Sequence, residues 1–264
     1  MKPSPPIGRL CYPEGHWLRS GDPEAVLEAG ARQQALTYSR VKNEFLFALL
    51  GDLNGATLLD FGCGSGYFAT RAVTRGAARV VCVDAEPAAL AGASLLARRL
   101  GLDSRMDFVA ALEPCFAPRA RFTAICLRDV IEHVPRDLEL LTRLAGHLAP
   151  GGRLVLATQN RWSLNSLLEG GVRRFILGQT DWMGWDPTHL RFYSPRSLEA
   201  VLRAAGLRPY AWRSAYVIPH KLPIPWAGAG RFRRIEPLAA LDRPLGRVFP
   251  LNRLGFSLMV GATA

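Results

Sequence analysis

The chain has 264 residues, of which 49% are hydrophobic and 21% are charged. This length and hydrophobic fraction exclude a disordered chain and fit one domain with insertions, or one domain with a small cap. The five cysteines, none of them at Cys-x-x-Cys spacing, indicate a reducing compartment and no metal cluster.

The net charge of +11 raises nucleic acid and anionic membranes as partners. Only three of the 33 basic residues are lysine, and the arginines are spread out apart from Arg173–Arg174 and Arg231 to Arg234. We expect no nucleic-acid binding, whereas contact with a membrane surface stays open because both clusters lie beside apolar residues. The chain has no 18-residue apolar run and no signal-peptide core, so we expect a cytoplasmic protein, either free or at the inner membrane face.

Segment 1–52 is predicted to be an extension followed by a helical cap. Residues 1–22 are rich in proline and glycine. From Pro23 to Leu50 the apolar residues follow helical spacing, as at Tyr38, Val41, Phe45 and Leu49. We expect this cap to cover a cofactor cleft in the main domain, residues 53–264.

The next segment alternates between short apolar runs and amphipathic stretches. The pattern predicts strands at 57–61, 79–84, 105–109, 122–127 and 153–158, and helices at 66–75, 87–99 and 137–148. Such crossovers produce a Rossmann-like, doubly wound α/β fold with a mostly parallel sheet. A cofactor would then lie beyond the carboxyl ends of the strands.

The pattern changes after Asn160. Residues 161–193 are apolar and aromatic without a strand period, which predicts an inserted cap after the fifth strand. Ser194 as N-cap and Pro195 at the first helical position begin another helix. The prediction ends with a strand at 209–217, a proline-rich loop at 218–253 and an antiparallel final strand at Phe256–Gly261.

A single turn carries most of the chemical information. The apolar run that contains Asp60 breaks into glycines at Gly62, Gly64 and Gly66, and a second apolar run ends at Asp84. A glycine turn between strand and helix, with an acid at the end of the next strand, predicts a nucleoside cofactor. An acid ahead of the first glycine would repel a diphosphate, but it suits a cofactor that carries a sulfonium and an ammonium.

At these residues the chain resembles the class I S-adenosylmethionine-dependent methyltransferases, whose first motif is Asp-x-Gly-x-Gly-x-Gly and whose second motif ends in an acid. Within that superfamily it is most similar to the branch of the ubiquinone-pathway O-methyltransferases. The segments that indicate this branch are Asp129–Val134, Leu148–Leu154 and Thr188–Pro195. The resemblance extends from about Leu53 to Gly206.

The resemblance implies a set of cofactor contacts, which comprises Lys42, Asp60, Gly62, Cys63, Gly64, Gly66, Asp84, Ala85 and Leu127. The three glycines would leave room for the cofactor, and Asp84 would accept hydrogen bonds from the ribose. Lys42 stands where the relatives place a basic residue on the cofactor carboxylate, and a solvent-exposed helix lysine is the alternative. We expect Glu113 or a backbone group to hold the adenine amine.

A second group of polar residues follows the fourth strand. Asp129, Glu132 and His133 stand at i, i+3 and i+4, so one helical turn would bring them to one face. The resemblance implies a divalent metal here, Mg²⁺, Mn²⁺ or Zn²⁺, and a structural turn is the alternative. His133 and His189 are candidates for a general base, because the ordinary pKa of histidine is about 6.5, and a structural role stays open for both.

These features predict an S-adenosylmethionine-dependent methyltransferase that acts on a small, largely apolar molecule. The expected reaction is O-methylation of a hydroxyl, of phenol or quinol type or in a natural-product intermediate. A nicotinamide-dependent oxidoreductase on the same architecture is one alternative, and a non-catalytic cofactor-binding partner protein is another. The sequence leaves the oligomeric state undefined.

Overall fold

The computed structural model describes residues 21–111, 120–176, 178–180, 188–219, 221–223 and 232–264. Its strands are β1 (Thr57–Phe61), β2 (Arg79–Asp84), β3 (Met106–Ala110), β4 (Phe122–Arg128), β5 (Leu148–Gln159), β6 (Arg208–Ala215), β7 (Lys221–Pro223), β8 (Phe232–Arg234) and β9 (Ser257–Thr263). Its α-helices are α1 (Pro23–Ala35), α2 (Thr37–Leu50), α3 (Tyr67–Thr74), α4 (Pro87–Arg99), α5 (Asp137–Gly146), α6 (Leu164–Gly171), α7 (Pro195–Ala204), α8 (Glu236–Ala240) and α9 (Asp242–Leu245).

Seven strands form one mixed sheet in the order β3-β2-β1-β4-β5-β9-β6. Strands β1 to β5 pair in parallel, and β9 lies antiparallel between β5 and β6. The predicted fold class is confirmed, including the antiparallel final strand. The strand order reverses between β1 and β4, and ligands of open α/β sheets bind at such a switch point.

The side chains of β1 alternate between two apolar clusters, one on each face of the sheet, and helices cover both clusters. Leu58 points to the cluster beneath α2, α3 and α4, and Leu59 and Phe61 point to the cluster beneath α5 and α7. Each fully buried leucine contributes roughly 1.5–3 kcal/mol to folding. Asp60, on the same face as Leu58, puts a carboxylate into an otherwise apolar layer.

Helix α7 begins as the sequence predicts. The Ser194 hydroxyl accepts a hydrogen bond from the Ser197 backbone amide at 3.1 Å, and the Ser197 hydroxyl accepts one from the Ser194 amide at 2.9 Å. Pro195 occupies the first helical position. This reciprocal cap is worth about 1 kcal/mol and fixes where the chain turns back toward β6.

Three predicted boundaries were wrong. The N-terminal cap is two helices, because Leu36 has an extended backbone and ends α1 before α2 begins. The helix predicted to reach residue 148 ends at Gly146, since Leu148 already pairs with Phe122 in the sheet. The predicted loop 218–253 contains, in its described part, the β7–β8 hairpin, α8 and α9.

The insertion after β5 is closed at its base. Asn160 forms a bridge with Tyr193, and the Arg161 amide donates a hydrogen bond to the Tyr193 carbonyl at 2.8 Å. Both ends of segment 161–193 therefore meet at the carboxyl end of β5. Within the described residues, no helix is long and apolar enough to cross a membrane.

Candidate functional site

The glycine turn follows β1 and is held by the neighbouring strand. The backbone amides of Gly62 and Cys63 both donate to the Val83 carbonyl of β2, at 2.8 and 3.0 Å. Gly62, Gly64 and Gly66 have φ angles of 78°, 56° and 77°, in the left-handed region that side chains disfavour. The turn is therefore prearranged by backbone geometry.

The three glycines serve different purposes. A Cβ at Gly62 would lie 2.2 Å from Val130, and one at Gly66 would lie 2.7 Å from Ala93. A Cβ at Gly64 would meet nothing within 4 Å among the described residues. All three glycines were predicted to make room for the cofactor. At 62 and 66, however, the neighbouring protein atoms already leave no space for a side chain. Gly64 alone borders open space.

Asp84, at the end of β2, braces this turn. Its Oδ2 accepts from the Gly64 amide at 2.8 Å, and its Oδ1 accepts from the Glu86 amide at 3.0 Å. Burial raises the pKa of Asp84, while hydrogen bonds from the amides of Glu86, Gly64 and Ala85 oppose that rise. The three amides leave one of the four lone pairs of the carboxylate, so Asp84 retains the capacity to accept from a ribose hydroxyl.

Asp60 lies beneath the turn and is fully buried. Neither of its carboxylate oxygens has a hydrogen-bond partner among the described residues. The nearest cation is Arg128 at the end of β4, whose Nη2 lies 3.8 Å from Oδ2 of Asp60. Burial raises the pKa of Asp60 to about 6, although the charge of Arg128 lowers it.

Arg128 is a site residue that the sequence analysis missed, and its neighbour Leu127 was assigned in its place. Leu127 is fully buried in the cluster beneath α5 and α7, on the face opposite Asp60. Its side chain is therefore core, which leaves its backbone at the strand end. Strand alternation after Cys126, which pairs with Asp60, is the signal that could have identified Arg128.

Lys42 and Asp129 form an ion pair between α2 and the end of β4. Lys42 is only 7% exposed, so the alternative of a solvent-exposed helix lysine was wrong. Burial by itself would lower the pKa of Lys42, but the charges of Asp129 and Tyr38 raise it overall. Asp129 has a φ of 54°, and its Oδ1 also accepts a hydrogen bond from the side-chain amide of Gln159 at 3.4 Å.

Glu132 is fully buried beside this pair. Its Oε2 accepts a hydrogen bond from the Thr158 hydroxyl at 2.8 Å, and its Oε1 has no partner among the described residues. Burial, reinforced by repulsion from Asp129, raises the pKa of Glu132 to about 8. Glu132 therefore holds a proton at neutral pH.

The two histidines meet although they lie 56 positions apart in the chain, at 133 and 189. The rings of His133 and His189 are 4.8 Å apart between centroids. Nδ1 of His133 lies 3.2 Å from the carbonyl and 3.0 Å from the hydroxyl of Thr188. Because a carbonyl only accepts, a hydrogen bond to it puts the proton on Nδ1 and leaves the lone pair on Nε2.

The group with metal-ligand geometry differs from the predicted one. Ligand atoms of Glu132, His133 and His189 all lie within 4.8 Å of one another. Asp129, which the sequence analysis grouped with Glu132 and His133, is instead bound to Lys42. His189 takes its place because the insertion folds back onto the turn, where the Leu190 amide donates to the Glu132 carbonyl at 2.9 Å.

A family model described as "Methyltransferase domain" matches residues 31–211. The chain belongs to this methyltransferase family. The superfamily resemblance seen at the glycine turn is thus confirmed, and the oxidoreductase alternative is not favoured. The matched range includes α2, the glycine turn and both histidines.

Two curated relatives of the chain have different names. The chain is 36% identical over 165 residues to the ubiquinone biosynthesis O-methyltransferase of Methylocella silvestris, covering 60% of each chain. It is 37% identical over 109 residues to the ribosomal protein L11 methyltransferase of Yersinia pestis, covering 41% of this chain and 36% of that one. The chain thus spans less than two thirds of either relative.

A solved structure supports the methyltransferase fold. An S-adenosylmethionine-dependent methyltransferase from Mesorhizobium loti superposes with a TM-score of 0.56 at 20% identity, covering 88% of this chain and all of that one. The similarity at this identity concerns the fold alone.

The residues at the end of the sheet fit S-adenosylmethionine. Asp60 offers two buried carboxylate oxygens without a hydrogen-bond partner among the described residues, which suits a cationic ligand, and Gly64 borders open space. The roles of Asp84 toward the ribose and of Lys42 toward the cofactor carboxylate stay predictions, and Lys42 is paired with Asp129 in this structure. The predicted adenine contact at Glu113 lies outside the described residues.

Proposed function

We propose that the chain transfers a methyl group from S-adenosylmethionine to a hydroxyl oxygen of a small, largely apolar molecule. The observation that carries the proposal is the pair of histidine rings, 4.8 Å apart, at the strand end next to the glycine turn. The Methylocella relative, by its name an O-methyltransferase of ubiquinone biosynthesis, supports oxygen as the acceptor atom.

The chemistry needs alignment and removal of one proton. Bound S-adenosylmethionine supplies a methyl group on a positively charged sulfur. A phenol-type hydroxyl has a pKa of about 10, so a base must take its proton near neutral pH. Nε2 of His133 has the free lone pair in the tautomer whose Nδ1–H donates to the Thr188 carbonyl, and His189 lies beside it. Glu132, protonated at neutral pH, is not that base.

The proposal is tested with labelled S-adenosylmethionine and a panel of phenols, quinols and aliphatic alcohols of graded size. His133→Ala and His189→Ala are each expected to lower kcat by about 10²- to 10⁴-fold, the usual contribution of a general base, with little change in cofactor Kd. His147→Ala is the matched control, since His147 lies at the opposite end of β5, next to the Ala120 carbonyl. Label that enters a protein substrate and none of the panel would contradict a small-molecule acceptor.

A divalent metal is the second part of the proposal, and its ligands would be Glu132, His133 and His189. Mg²⁺, Mn²⁺ or Zn²⁺ would supply a Lewis acid for the acceptor oxygen. The ion would displace the proton of Glu132 and occupy the Nε2 lone pair of His133, so the metal and a His133 base are alternatives, and the Oε1 of Glu132, without a partner among the described residues, is available to the ion. Exhaustive dialysis against EDTA should then remove activity that the metal restores. Full activity after dialysis would contradict a metal, and proton transfer would be the remaining role proposed for the histidines.

Contact with a membrane surface is the third part of the proposal. Helix α6 and its π-helical continuation Val172–Ile176 carry exposed apolar residues at helical spacing, namely Leu164, Leu167, Leu168, Val172, Phe175 and Ile176. Phe175 is 89% and Ile176 75% exposed. Arg161, Arg173 and Arg174 lie beside them, and because Glu169 pairs with Arg173 at 3.0 Å the net charge of this group is still positive, so the complementary surface is an anionic bilayer. The second arginine cluster lies partly outside the described residues.

Co-sedimentation with vesicles tests this contact. The wild-type chain should bind vesicles that contain phosphatidylglycerol and bind pure phosphatidylcholine vesicles far less, because the arginines respond to surface charge. Leu168→Glu with Phe175→Glu should abolish binding. Leu100→Glu, at an exposed leucine that ends α4, is the control and should bind like wild type. Equal binding by the double variant would contradict the contact.

A further inference from the structure

Arg128 occupies the floor of the cofactor site without a role in any part of the proposed chemistry. Its guanidinium lies 3.8 Å from the Asp60 carboxylate and donates to the Cys63 carbonyl of the glycine turn at 3.4 Å. It also lies over the Phe68 ring, 4.7 Å from the centroid, and Phe68 stacks on Phe47. The cation is thus held between an acid, a turn and an aromatic face.

The register of the sheet explains this placement. Asp60 of β1 pairs with Cys126 of β4, so Arg128, two residues on, emerges on the same face of the sheet. That face is covered by α2 and α3. The Arg128 side chain is 16% exposed, while that of Asp60 is fully buried, so the arginine stands between the acid and the open end of the sheet.

We propose that Arg128 is a positioning residue of the cofactor site, which holds Asp60 as a carboxylate and fixes the Cys63 carbonyl beneath the glycine turn. The inference rests on the proposed use of S-adenosylmethionine. A buried acid without hydrogen bonds favours its neutral form, and a neutral Asp60 would lose its attraction for a cationic ligand. The arginine opposes that loss.

The other groups around Asp60 do not replace Arg128. The titratable and charged groups that face Asp60 from the neighbouring strands and the turn are Cys82, Asp84, Cys126, Arg128 and Cys63. Burial raises the pKa of Cys126, and a hydrogen bond with Cys82 together with burial raises that of Cys63, so both thiols are neutral near pH 7. Asp84 repels the Asp60 charge. From α3, the uncharged Phe68 lies against Arg128, and from α2 the charged group on this face is Lys42, whose charge reaches Cys126 but which is paired with Asp129.

Calorimetric titration of S-adenosylmethionine between pH 5.5 and 9 tests the inference. The readout is the ratio of the Kd of Arg128→Met to that of wild type, because titration of the cofactor itself cancels in the ratio. We expect a ratio of at least tenfold at pH 7 that falls to within about threefold at pH 9, where Asp60 ionises without help. Arg128→Lys, which keeps the charge, should retain the wild-type pH profile.

Asp60→Asn is the matched background. In that background Arg128→Met should change the Kd by a factor that does not vary with pH, because no acid remains to be ionised. The double variant also lacks an unpaired buried acid, so it should fold. Should Arg128→Met alone fail to fold, Arg128→Gln carries the same test with the same two outcomes.

Two results would overturn the inference, and they can be told apart. A wild-type chain that binds S-adenosylmethionine, together with a variant ratio that is constant from pH 6 to 9, overturns the role of Arg128 alone. A wild-type chain that binds no S-adenosylmethionine at any pH overturns the proposed function, and this inference with it.

Discussion

The two halves of the site are built by different means. On the cofactor half, the backbone amides of Gly62 and Cys63 bond to β2, and Asp84 bonds to Gly64 across 20 positions of the chain. On the acceptor half, groups from distant segments meet, as His133 meets Thr188 across 55 positions. Backbone bonding makes the first half a fixed cradle, whereas the second half depends on the whole fold.

Polarity separates the halves further. The acceptor half fully buries Glu132, beside the half-buried Asp129, and it adjoins an insertion whose described apolar side chains are exposed, whereas the buried acid of the cofactor half, Asp60, has Arg128 3.8 Å away. Buried charges are costly unless they are paired, so this half holds free energy that substitutions can release. We therefore expect cofactor-half substitutions to change binding, and acceptor-half substitutions to change stability and turnover.

The largest effect is expected at Gly64. Gly64→Leu would put a side chain into the open space beside the turn and strain a backbone at a φ of 56°, so cofactor binding should fall by more than about a hundredfold, while stability falls by roughly 1–2 kcal/mol. Calorimetry and urea unfolding measure the two quantities.

The matched variant is Gly66→Ala, whose Cβ would lie 2.7 Å from Ala93 and 3.0 Å from its Cα. It should cost more stability than Gly64→Leu because the contact is with the chain itself. The reverse order of stabilities would contradict the division of roles between the glycines.

Glu132 should give the next largest effect, in stability against pH. Its pKa is raised to about 8 in the folded chain, so it contributes stability that is full below its unfolded pKa of about 4.3 and is lost as the pH rises through 8. Glu132→Gln stays neutral and should be more stable than wild type at pH 9, by an amount on the order of a few kcal/mol.

Urea unfolding at pH 5, 7 and 9 in EDTA measures this difference. Glu139→Gln, at an exposed glutamate on α5, should follow the wild-type pH dependence. Parallel curves for wild type and Glu132→Gln would show that the buried carboxyl is not the group that titrates.

A smaller effect is expected at Asp84, in the cofactor half. Asp84→Ala removes the expected ribose acceptor and the brace on the Gly64 amide, so S-adenosylmethionine should bind at least tenfold more weakly, or about 1.4 kcal/mol. Asp107→Ala, which breaks an exposed ion pair with Arg79 near the amino ends of β2 and β3, away from Asp84, should leave the Kd unchanged. Unchanged titration curves for Asp84→Ala would refute its role.

The smallest effect is expected at Thr188. Thr188→Val removes the hydroxyl near His133 but keeps the carbonyl that also approaches Nδ1 at 3.2 Å. One neutral hydrogen bond is worth about 0.5–1.5 kcal/mol, so kcat should fall by no more than about tenfold. A loss as large as that of His133→Ala would show that the hydroxyl, not the carbonyl, sets the tautomer.

Much of the fold follows from local pattern. Strands β1 and β2 and helix α4 have the predicted bounds, because apolar periodicity and the flanking Asp60, Asp84 and Pro87 are all local signals. The break at Leu36 was missed, since its extended backbone sits inside a continuous helical pattern. The long start of β5 was missed because Pro150 and Gly151 resemble a plain helix stop, although the chain pairs with β4 on both sides of them.

The sequence by itself determined the cradle, with its acid, its glycines and the second acid, because spacing within one strand–turn–helix unit suffices to place them. Only the tertiary structure decided that Lys42 is buried on Asp129, that Arg128 and not Leu127 faces Asp60, and that His189 joins Glu132 and His133. The physical reason is that these contacts arise from strand register and from the return of the insertion, and both are properties of the packed sheet rather than of residue spacing.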